Sequence, residues 1–459
     1  MVNRQPSSFK HVLMKRLSTN VVLRQEVNGD YTIYDKSCDM KYLITKKLYS
    51  FLRLFKNQSA DYEEVITFLV SKGIEINDIK SCLSRDEFRN IFTEDNTGAK
   101  QLIESRDIYS LSKLGEYTHF SPERVDLLLT RKCNLSCRHC FEVSSPNEFA
   151  NNIDIERLNS LAQEMEDIDV KTLKITGGEV LMFPQINKFL STLKTKRFET
   201  ILLTNAMMLN NDLCITIAEG GMKLGISLDG INSLSHDFLR GKGAFDKLMN
   251  KLSLIKNYGI KFSITTSVHS KNIDEIEKIV EYAINKLGAR TVFINKLKPL
   301  GRASYNKDIF ITEDEDEKFG VRFNSLALLY GNEKVMLSDD SATEIKTTNR
   351  EIDLLDTPLV CTAGNTILSI DDNLDVYPCI YGHGKNEYIM GNLYKENLLD
   401  IWRSPKWNRF RGETKLGDIP TCRTCRNNSK CGLKNCRLKA VYEGRSFYSN
   451  VSYCKRDLI

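Results

Sequence analysis

Between Val125 and Asn295 the sequence alternates six times between a short β-prone run and a longer connecting segment, often of helical pattern. The runs are "VDLLLT", "TLKIT", "TILLT", "KLGISL", "KFSITTSV" and "TVFIN", and segments such as "DIERLNSLAQEMEDI", "PQINKFLSTLKT" and "NIDEIEKIVEYAINKL" separate them. Nothing else in the chain restricts its fold as strongly. Strands joined by helical crossovers run parallel, and such crossovers are right-handed. The region is therefore α/β, with its sheet either curled or doubly wound. In both arrangements ligands gather at the carboxyl ends of the strands.

Directly behind the first of these strands, "TRKCNLSCRHCF" spaces Cys133, Cys137 and Cys140 as C-x3-C-x2-C. Structural zinc closes its shell with four ligands, and a disulfide framework uses an even number of thiols. Three thiolates on a cubane cluster leave one iron without a protein ligand, open to a substrate or cofactor. A partial zinc site or a redox site is the plainer alternative. Other strand ends are polar as well. Gly177, Gly178 and Glu179 ("TGGE") follow the second strand, Thr204 and Asn205 close the third, and Ser227 and Asp229 ("GISLDG") close the fourth. The glycines permit close backbone approach, and a carboxylate or carbonyl there can accept from an ammonium group. Ser227 and Asp229, two apart on one strand face, suit hydroxyls. Arg240 follows in "HDFLRGKGAF". Taken singly, each of these reads equally well as a turn, a strand-end cap or a surface charge.

The chain has 13 cysteines among 459 residues. Cys38, Cys82 and Cys214 lie in strand-like or helical patterns and are read as buried structural thiols. The last hundred residues hold Cys361, Cys379, Cys422, Cys425, Cys431, Cys436 and Cys454. A net charge of +5 gives no global attraction to nucleic acid or membrane. No apolar run approaches the roughly 18 residues of a membrane span, and no signal-peptide pattern is present at the N-terminus. The expected location is cytoplasmic, where cysteines serve as metal ligands or free thiols more often than as disulfides. Ahead of the alternating region, "NVVLRQEVNGDYTIYD" reads as a hairpin about Asn28-Gly29-Asp30. Three helix-like segments follow it, "TKKLYSFLRLF", "ADYEEVITFLVSKG" and "NDIKSCLSRDEFRNIF", which together suggest a small winged-helix-like domain. Residues 301–358 read as a charged, irregular bridge.

The cysteine triplet placed after the first strand of six βα units resembles the radical S-adenosylmethionine (SAM) superfamily. That resemblance implies an α/β partial (βα)6 barrel in which Cys133, Cys137 and Cys140 hold a [4Fe–4S] cluster. The free iron would chelate SAM, and reduction would release a 5′-deoxyadenosyl radical. It also implies SAM contacts from Gly177, Gly178, Glu179, Thr204, Asn205, Ser227, Asp229 and Arg240, with His139 and Phe141 against the adenine. "CTAG", "YPC", "CRTCRNNSKCGLKNC" and "SYC", with "GNLYKENLLDIWRSPKWNRFR" between them, resemble the SPASM extension with two auxiliary [4Fe–4S] clusters. By position Cys422, Cys425, Cys431 and Cys454 would hold the distal one, and Cys361, Cys379 and Cys436 the nearer one. A zinc ribbon is the alternative for this block. Eight cysteines would ligate both clusters fully, and the block has seven. The nearer cluster would then keep an open iron for a substrate thiolate, unless Asp371, Asp375, His383 or water closes it. The early hairpin, "YDKSCDMKYLITKKLYSFL" and the following helices resemble the PqqD-like element that binds a leader peptide as an added strand. A domain that only packs on the barrel is the alternative.

The resemblance thus divides the chain into a recognition domain (1–115), the barrel (116–300), a bridge (301–358) and an Fe–S-rich SPASM domain (359–459). The whole is most similar to sactipeptide and ranthipeptide maturases of the subtilosin A type. It implies an oxidoreductase that installs thioethers in a ribosomal precursor peptide, supplied with electrons by a donor such as flavodoxin or ferredoxin. The alternatives are another radical SAM/SPASM modification (a carbon–carbon crosslink, a peptide-derived redox cofactor, or formylglycine in a sulfatase) and a non-enzymatic Fe–S or zinc scaffold binding peptide or RNA.

Overall fold

The structure is a computed structural model. It describes residues 121–148, 153–337, 354–356, 358–425 and 436–450, together with 14–18, 21–25, 30–36, 40–53, 55, 60–61, 65–67, 70, 77 and 92–94. The chain forms two compact units, Met1–Phe120 and Ser121–Ile459.

In the first unit β1 (Met14–Leu17) lies between β5 (Ala60–Asp61) and β6 (Phe92–Glu94) in one small sheet. A second, antiparallel sheet has the order β2 (Val21–Gln25), β3 (Tyr31–Asp35), β4 (Met40–Ile44). The expected hairpin is present, with Gln25 opposite Tyr31 and Val21 opposite Asp35. Helix α1 (Lys46–Arg53) buries Leu48, Phe51 and Leu52 in one apolar cluster with Val21, Leu23 and Ile33. The second and third expected helices are met differently. "ADYEEVITFLVSKG" begins in β5 before turning helical at Val65, and "NDIKSCLSRDEFRNIF" runs into β6. Most of the latter, with Cys38 and Cys82, lies outside the described residues.

The second unit is built on a ten-stranded sheet. Its strands are β7 (Arg124–Leu128), β8 (Thr172–Thr176), β9 (Glu199–Thr204), β10 (Lys223–Ser227), β11 (Phe262–Val268) and β12 (Val292–Lys296), the six expected ones, all parallel and in chain order. Crossovers of constant hand that always step the same way place every helix on one side of the sheet. That decides between the two architectures in favour of the curled partial barrel. The helices α2 (Ile155–Asp167), α3 (Ile186–Leu193), α4 (Asn211–Glu219), α5 (Ser233–Arg240), α6 (Ala244–Asn257) and α7 (Ile276–Glu281) supply the outer layer. α2 touches α3, α3 touches α4, and α4 touches α6. Val125, Leu127, Leu173, Ile175, Leu202, Ile226 and Ile264 are fully buried in one core with these helices. The opposite face of the sheet lines the lumen.

The sheet extends past both expected edges. The irregular bridge expected over 301–358 instead carries an 18-residue helix, α8 (Glu313–Tyr330), and a seventh parallel strand, β13 (Val335–Leu337) beside β12. Thr312 and Glu315 form a reciprocal capping box, and the acidic residues of the first turn suit a helix N-terminus. Only Phe319 and Leu326 of this helix are buried, so its apolar period is faint in the sequence. On the other side β15 (Ile367–Ile370) pairs in parallel with β7, and β16 (Asp375–Tyr377) and β17 (Gly391–Asn392) continue antiparallel. The short β14 (Pro358–Val360) pairs with β18 (Arg411–Lys415). The helices α9 (Leu398–Arg403), α10 (Pro420–Arg423) and α11 (Arg437–Tyr442) complete the C-terminal part. No described helix is long and apolar enough to cross a membrane.

Candidate functional site

The loop that leaves β7 carries Cys133, Cys137 and Cys140 over the barrel mouth, and its path is set mostly by backbone hydrogen bonds. Gly178 N–H donates to Thr130 O at 2.7 Å and Glu179 N–H to Lys132 O at 2.9 Å. A Cβ on Gly177 would stand 2.5 Å from Thr130 O, and one on Gly178 would stand 2.4 Å from Lys132 O. Both glycines therefore let the cysteine loop lie directly on the end of β8.

Arg302, in the stretch expected to be irregular, is the second clamp. Its N–H donates to Cys140 O (2.9 Å), and its guanidinium donates to Cys137 O (2.6 Å), Val143 O and Ser144 O (both 2.7 Å). Gly301, at φ +55°, lets this segment approach; a Cβ there would be 2.3 Å from Phe141 O. Sequence reasoning passed over Arg302. The available signal was "KPLGRA", where Pro and Gly mark a turn immediately after the sixth strand. Arg131 adds a third tie, from the loop to Asp372 (3.1 Å) and Glu142 (2.7 Å).

The three thiols are electrostatic neighbours. Burial pushes Cys133 up to about 12, with Cys137, Glu179 and Cys140 adding to it against the Leu135 N–H, and burial raises Cys137 against the pull of Arg240. Thiols in this setting ionise readily only beside an added positive centre, which a ligated iron provides. Among the described residues no three ligating side chains converge tightly enough to grip a single ion; a four-iron cubane spreads its ligands more widely. His139 fits a missing occupant as well. Burial and the Arg240 charge push its pKa down to about 4, and its Nδ1 is buried with no partner among the described residues.

Several expected SAM contacts prove to be engaged within the protein. Glu179 is fully buried and caps a short 3-10 turn by accepting from Leu181 N–H. It also accepts from Thr204 Oγ1 at 2.5 Å and Asn205 N–H at 2.8 Å. Asn205 Nδ2 donates to Asn134 Oδ1 in the cysteine loop at 2.7 Å. Glu179, Thr204 and Asn205 thus fasten the ends of β8 and β9 to the loop. Asp229, expected to meet ribose hydroxyls, is fully buried and grips Arg240 Nε at 2.6 Å through Oδ2, while Oδ1 accepts from Ser267 N–H at 2.7 Å. Burial alone would raise this carboxyl, but Arg240, His139, His236 and the Ser267 N–H together outweigh it and hold the pKa well below the usual carboxylate range. The pair aims Arg240 at Cys137, whose thiol feels its charge. Phe141, expected at an adenine, stacks on Tyr442 (4.8 Å between centroids) and meets Tyr381 edge-on. It therefore joins the loop to the C-terminal part. Ser227 is partly exposed at the end of β10.

In the C-terminal part, Cys379 is raised well above the usual thiol range by burial, with Cys436 and Cys361 as its next neighbours and Asp126 further down. Cys361 and Cys436, expected to share one cluster with Cys379, therefore both lie within electrostatic reach of it. Trp402 and Trp407, both fully buried, each lie against Arg411 (4.5 and 5.3 Å), which donates to Gly364 O (2.7 Å) and fixes the turn after Cys361. The groups that could close the cluster each have a partner elsewhere, while His383 Nδ1 is buried with no hydrogen-bond partner among the described residues. Asp371 accepts from Asn373 and Asp375 N–H, Asp375 from Asn392, and His383 Nε2 meets Ser369 Oγ at 2.8 Å. Of the distal set, Cys422 is buried and Cys425 lies one turn on; Cys431 and Cys454 lie outside the described residues. Cys214 is fully buried in the barrel core, as expected of a structural thiol.

Comparison with known proteins agrees with this arrangement. Residues 127–328 match the radical SAM superfamily and residues 361–426 the iron–sulfur cluster-binding SPASM domain. The chain is 34% identical over 335 residues to the antilisterial bacteriocin subtilosin biosynthesis protein AlbA of Bacillus subtilis, covering 72% of this chain and 70% of that one. It is 23% identical to an AdoMet-dependent heme synthase of Methanosarcina barkeri, covering 73% and 96%. Among solved structures, Streptococcus suis SuiB bound to precursor peptide SuiA superimposes with a TM-score of 0.75 at 19% identity over 96% of this chain and all of that one. The chain belongs to the radical SAM superfamily, in the branch with a SPASM domain, and is an enzyme whose cofactors are SAM and iron–sulfur clusters.

Proposed function

We propose that this enzyme installs thioether crosslinks between a cysteine sulfur and a carbon of another residue in a ribosomally made precursor peptide. The observation that carries the reading is the nearer cysteine set, in which Cys361 and Cys436 lie within electrostatic reach of Cys379 while Asp371, Asp375 and the Nε2 of His383 are hydrogen-bonded to other groups. Three ligands leave one position for a soft thiolate, and a substrate cysteine supplies one. The relation to AlbA and the SuiB fold, solved with its precursor peptide, support a peptide substrate.

In this reading Cys133, Cys137 and Cys140 would hold the first cluster, and SAM bound there would supply the radical chemistry that takes a hydrogen atom from the substrate. Arg240, held by Asp229, orients the SAM carboxylate, Ser227 serves the ribose, and the 177–178 backbone serves the amino group. Arg302 and the glycines at 177, 178 and 301 hold the loop that positions the thiols. Cys422, Cys425, Cys431 and Cys454 hold the distal cluster. The first unit binds the leader. Its strand β4 lies at a sheet edge with Met40 and Leu43 exposed (49% and 71%), a surface onto which an extended peptide can add. A flavodoxin or ferredoxin would deliver the electron.

A second reading, another radical SAM/SPASM modification, is favoured by the length of the match to the heme synthase. The test is anaerobic turnover of the precursor peptide encoded beside the gene. Thioether formation makes the product lighter by a pair of hydrogens per bridge, and prior alkylation of the donor cysteine blocks it. Product of unchanged mass, or bridging after alkylation, refutes the thioether reading.

A further inference from the structure

The lumen face of the sheet is unusually polar halfway up the strands. Directly paired residues share a face, so one row runs Ser369, Asp126, Lys174, Ile201, Lys223 across β15, β7, β8, β9 and β10. Arg124 and Glu199 lie one step below on the same face. The charges on this wall can be paired off. Arg124 makes two bonds to Asp126, Nε to Oδ1 at 2.9 Å and a terminal nitrogen to Oδ2 at 3.2 Å. Lys223 is paired with Glu199. Lys174 is left over, with no hydrogen bond or ion pair to any described residue.

Its surroundings suit an occupant of opposite charge. Burial holds the Lys174 amine below the usual lysine range, with Asp126 opposing the shift and Arg124 adding to it. A partly buried cation whose neighbouring carboxylate, Asp126, is already hydrogen-bonded to Arg124 is costly, and an incoming carboxylate relieves that cost. Asp126, the neighbour of Lys174, also lies within electrostatic reach of Cys379 in the nearer auxiliary set. Beyond Ile201 the wall turns small and polar, with Ser227, Ser263 and Thr265 on the same face.

We propose that Lys174 anchors an acidic side chain, Asp or Glu, of the peptide that enters the lumen beside the nearer auxiliary cysteines. The inference rests on the peptide-modifying reading above and names the residue class that the lumen selects. The SAM carboxylate is the other source of the same chemistry.

The full chain, anaerobically reconstituted and loaded with SAM, is tested by equilibrium dialysis against two acetylated, amidated probe peptides, Gly-Gly-Cys-Gly-Gly-Glu-Gly and its Gln counterpart. Wild type should bind the Glu probe about tenfold or more tightly. Lys174→Met should erase that preference and Lys174→Arg should keep it. SAM affinity should be the same in all three. Equal affinity of wild type for the two probes, including none for either, overturns the proposal, and this arm needs no variant to fold. Preference that survives Lys174→Met, or SAM affinity that falls with it, overturns it too. A peptide product without thioether, obtained while the Glu preference holds, refutes the crosslink and leaves the anchor in place.

Discussion

Replacing Asp229 by Asn tests whether this residue acts as the holder of Arg240. The change is nearly isosteric and keeps the Oδ1 acceptor for Ser267 N–H. The Asp229 N–H donates to His236 Nδ1 and the Asp229 carbonyl accepts from Asn272 Nδ2, and neither bond depends on the side chain. What is lost is the counter-charge of Arg240, whose side chain is only 10% exposed while that of Asp229 is 0% exposed. Breaking a buried pair by removing one partner costs about 3–5 kcal/mol. That is a large share of a domain stability of about 5–15 kcal/mol, and it should lower the melting temperature by roughly 4–7 °C for a unit of this size. Adding Arg240→Met should recover much of the loss, because it removes the stranded charge, so the double variant should be more stable than Asp229→Asn alone. The pH dependence has a definite sign. The folded pKa of Asp229 is lowered, so its stabilisation is complete above the unfolded carboxyl value of about 3.9 and fades as pH falls below it. The wild-type and Asp229→Asn melting curves should therefore converge in acid and stay apart at neutral pH. Thermal unfolding of the apoprotein followed by circular dichroism measures all of this. A loss under about 1 kcal/mol at pH 7, or additive effects in the double variant, would refute the holding role.

Further outcomes are expected. Cys133, Cys137 and Cys140 changed together to Ala should lower iron from about twelve to about eight per chain and abolish 5′-deoxyadenosine formation; cleavage of SAM by that variant would sink the ligand assignment. Gly178→Ala places a methyl 2.4 Å from Lys132 O and should displace the loop, so the first cluster is lost while auxiliary iron remains, as Mössbauer counting would register. Arg302→Lys keeps the charge but loses the fork that holds Cys137, Val143 and Ser144 O, and should weaken SAM binding measured by dialysis. Removing Met1–Phe120, a separate compact unit, should leave peptide-independent SAM cleavage intact and remove leader-dependent turnover; equal turnover of the full precursor by the truncated enzyme would dismiss the recognition role.

The sequence by itself determined the strand–helix alternation, because apolar periodicity is a local property that each segment carries alone. It also determined the cysteine spacings, whose chemistry depends on counting ligands. The six central strands fall where the runs predict them, and the cysteine loop follows the first. Charged residues in the middle of "VDLLLT" and "TLKIT" broke the apolar pattern visibly, and Asp126 and Lys174 line the lumen for that reason. Only the tertiary structure decided the rest. Helix α8 was hidden because just two of its residues are buried, and β13 and β15 because runs of three or four residues carry too little pattern. The partners of polar side chains were hidden for a different reason. Whether Asp229 meets a ribose or Arg240, and whether Glu179 faces a ligand or caps a turn, depends on which buried donor lies nearest. A buried carboxylate must be satisfied by something. Its partners can lie tens of residues away in the chain, as Ser267 does from Asp229 and Asn205 from Glu179, and only folding brings them together.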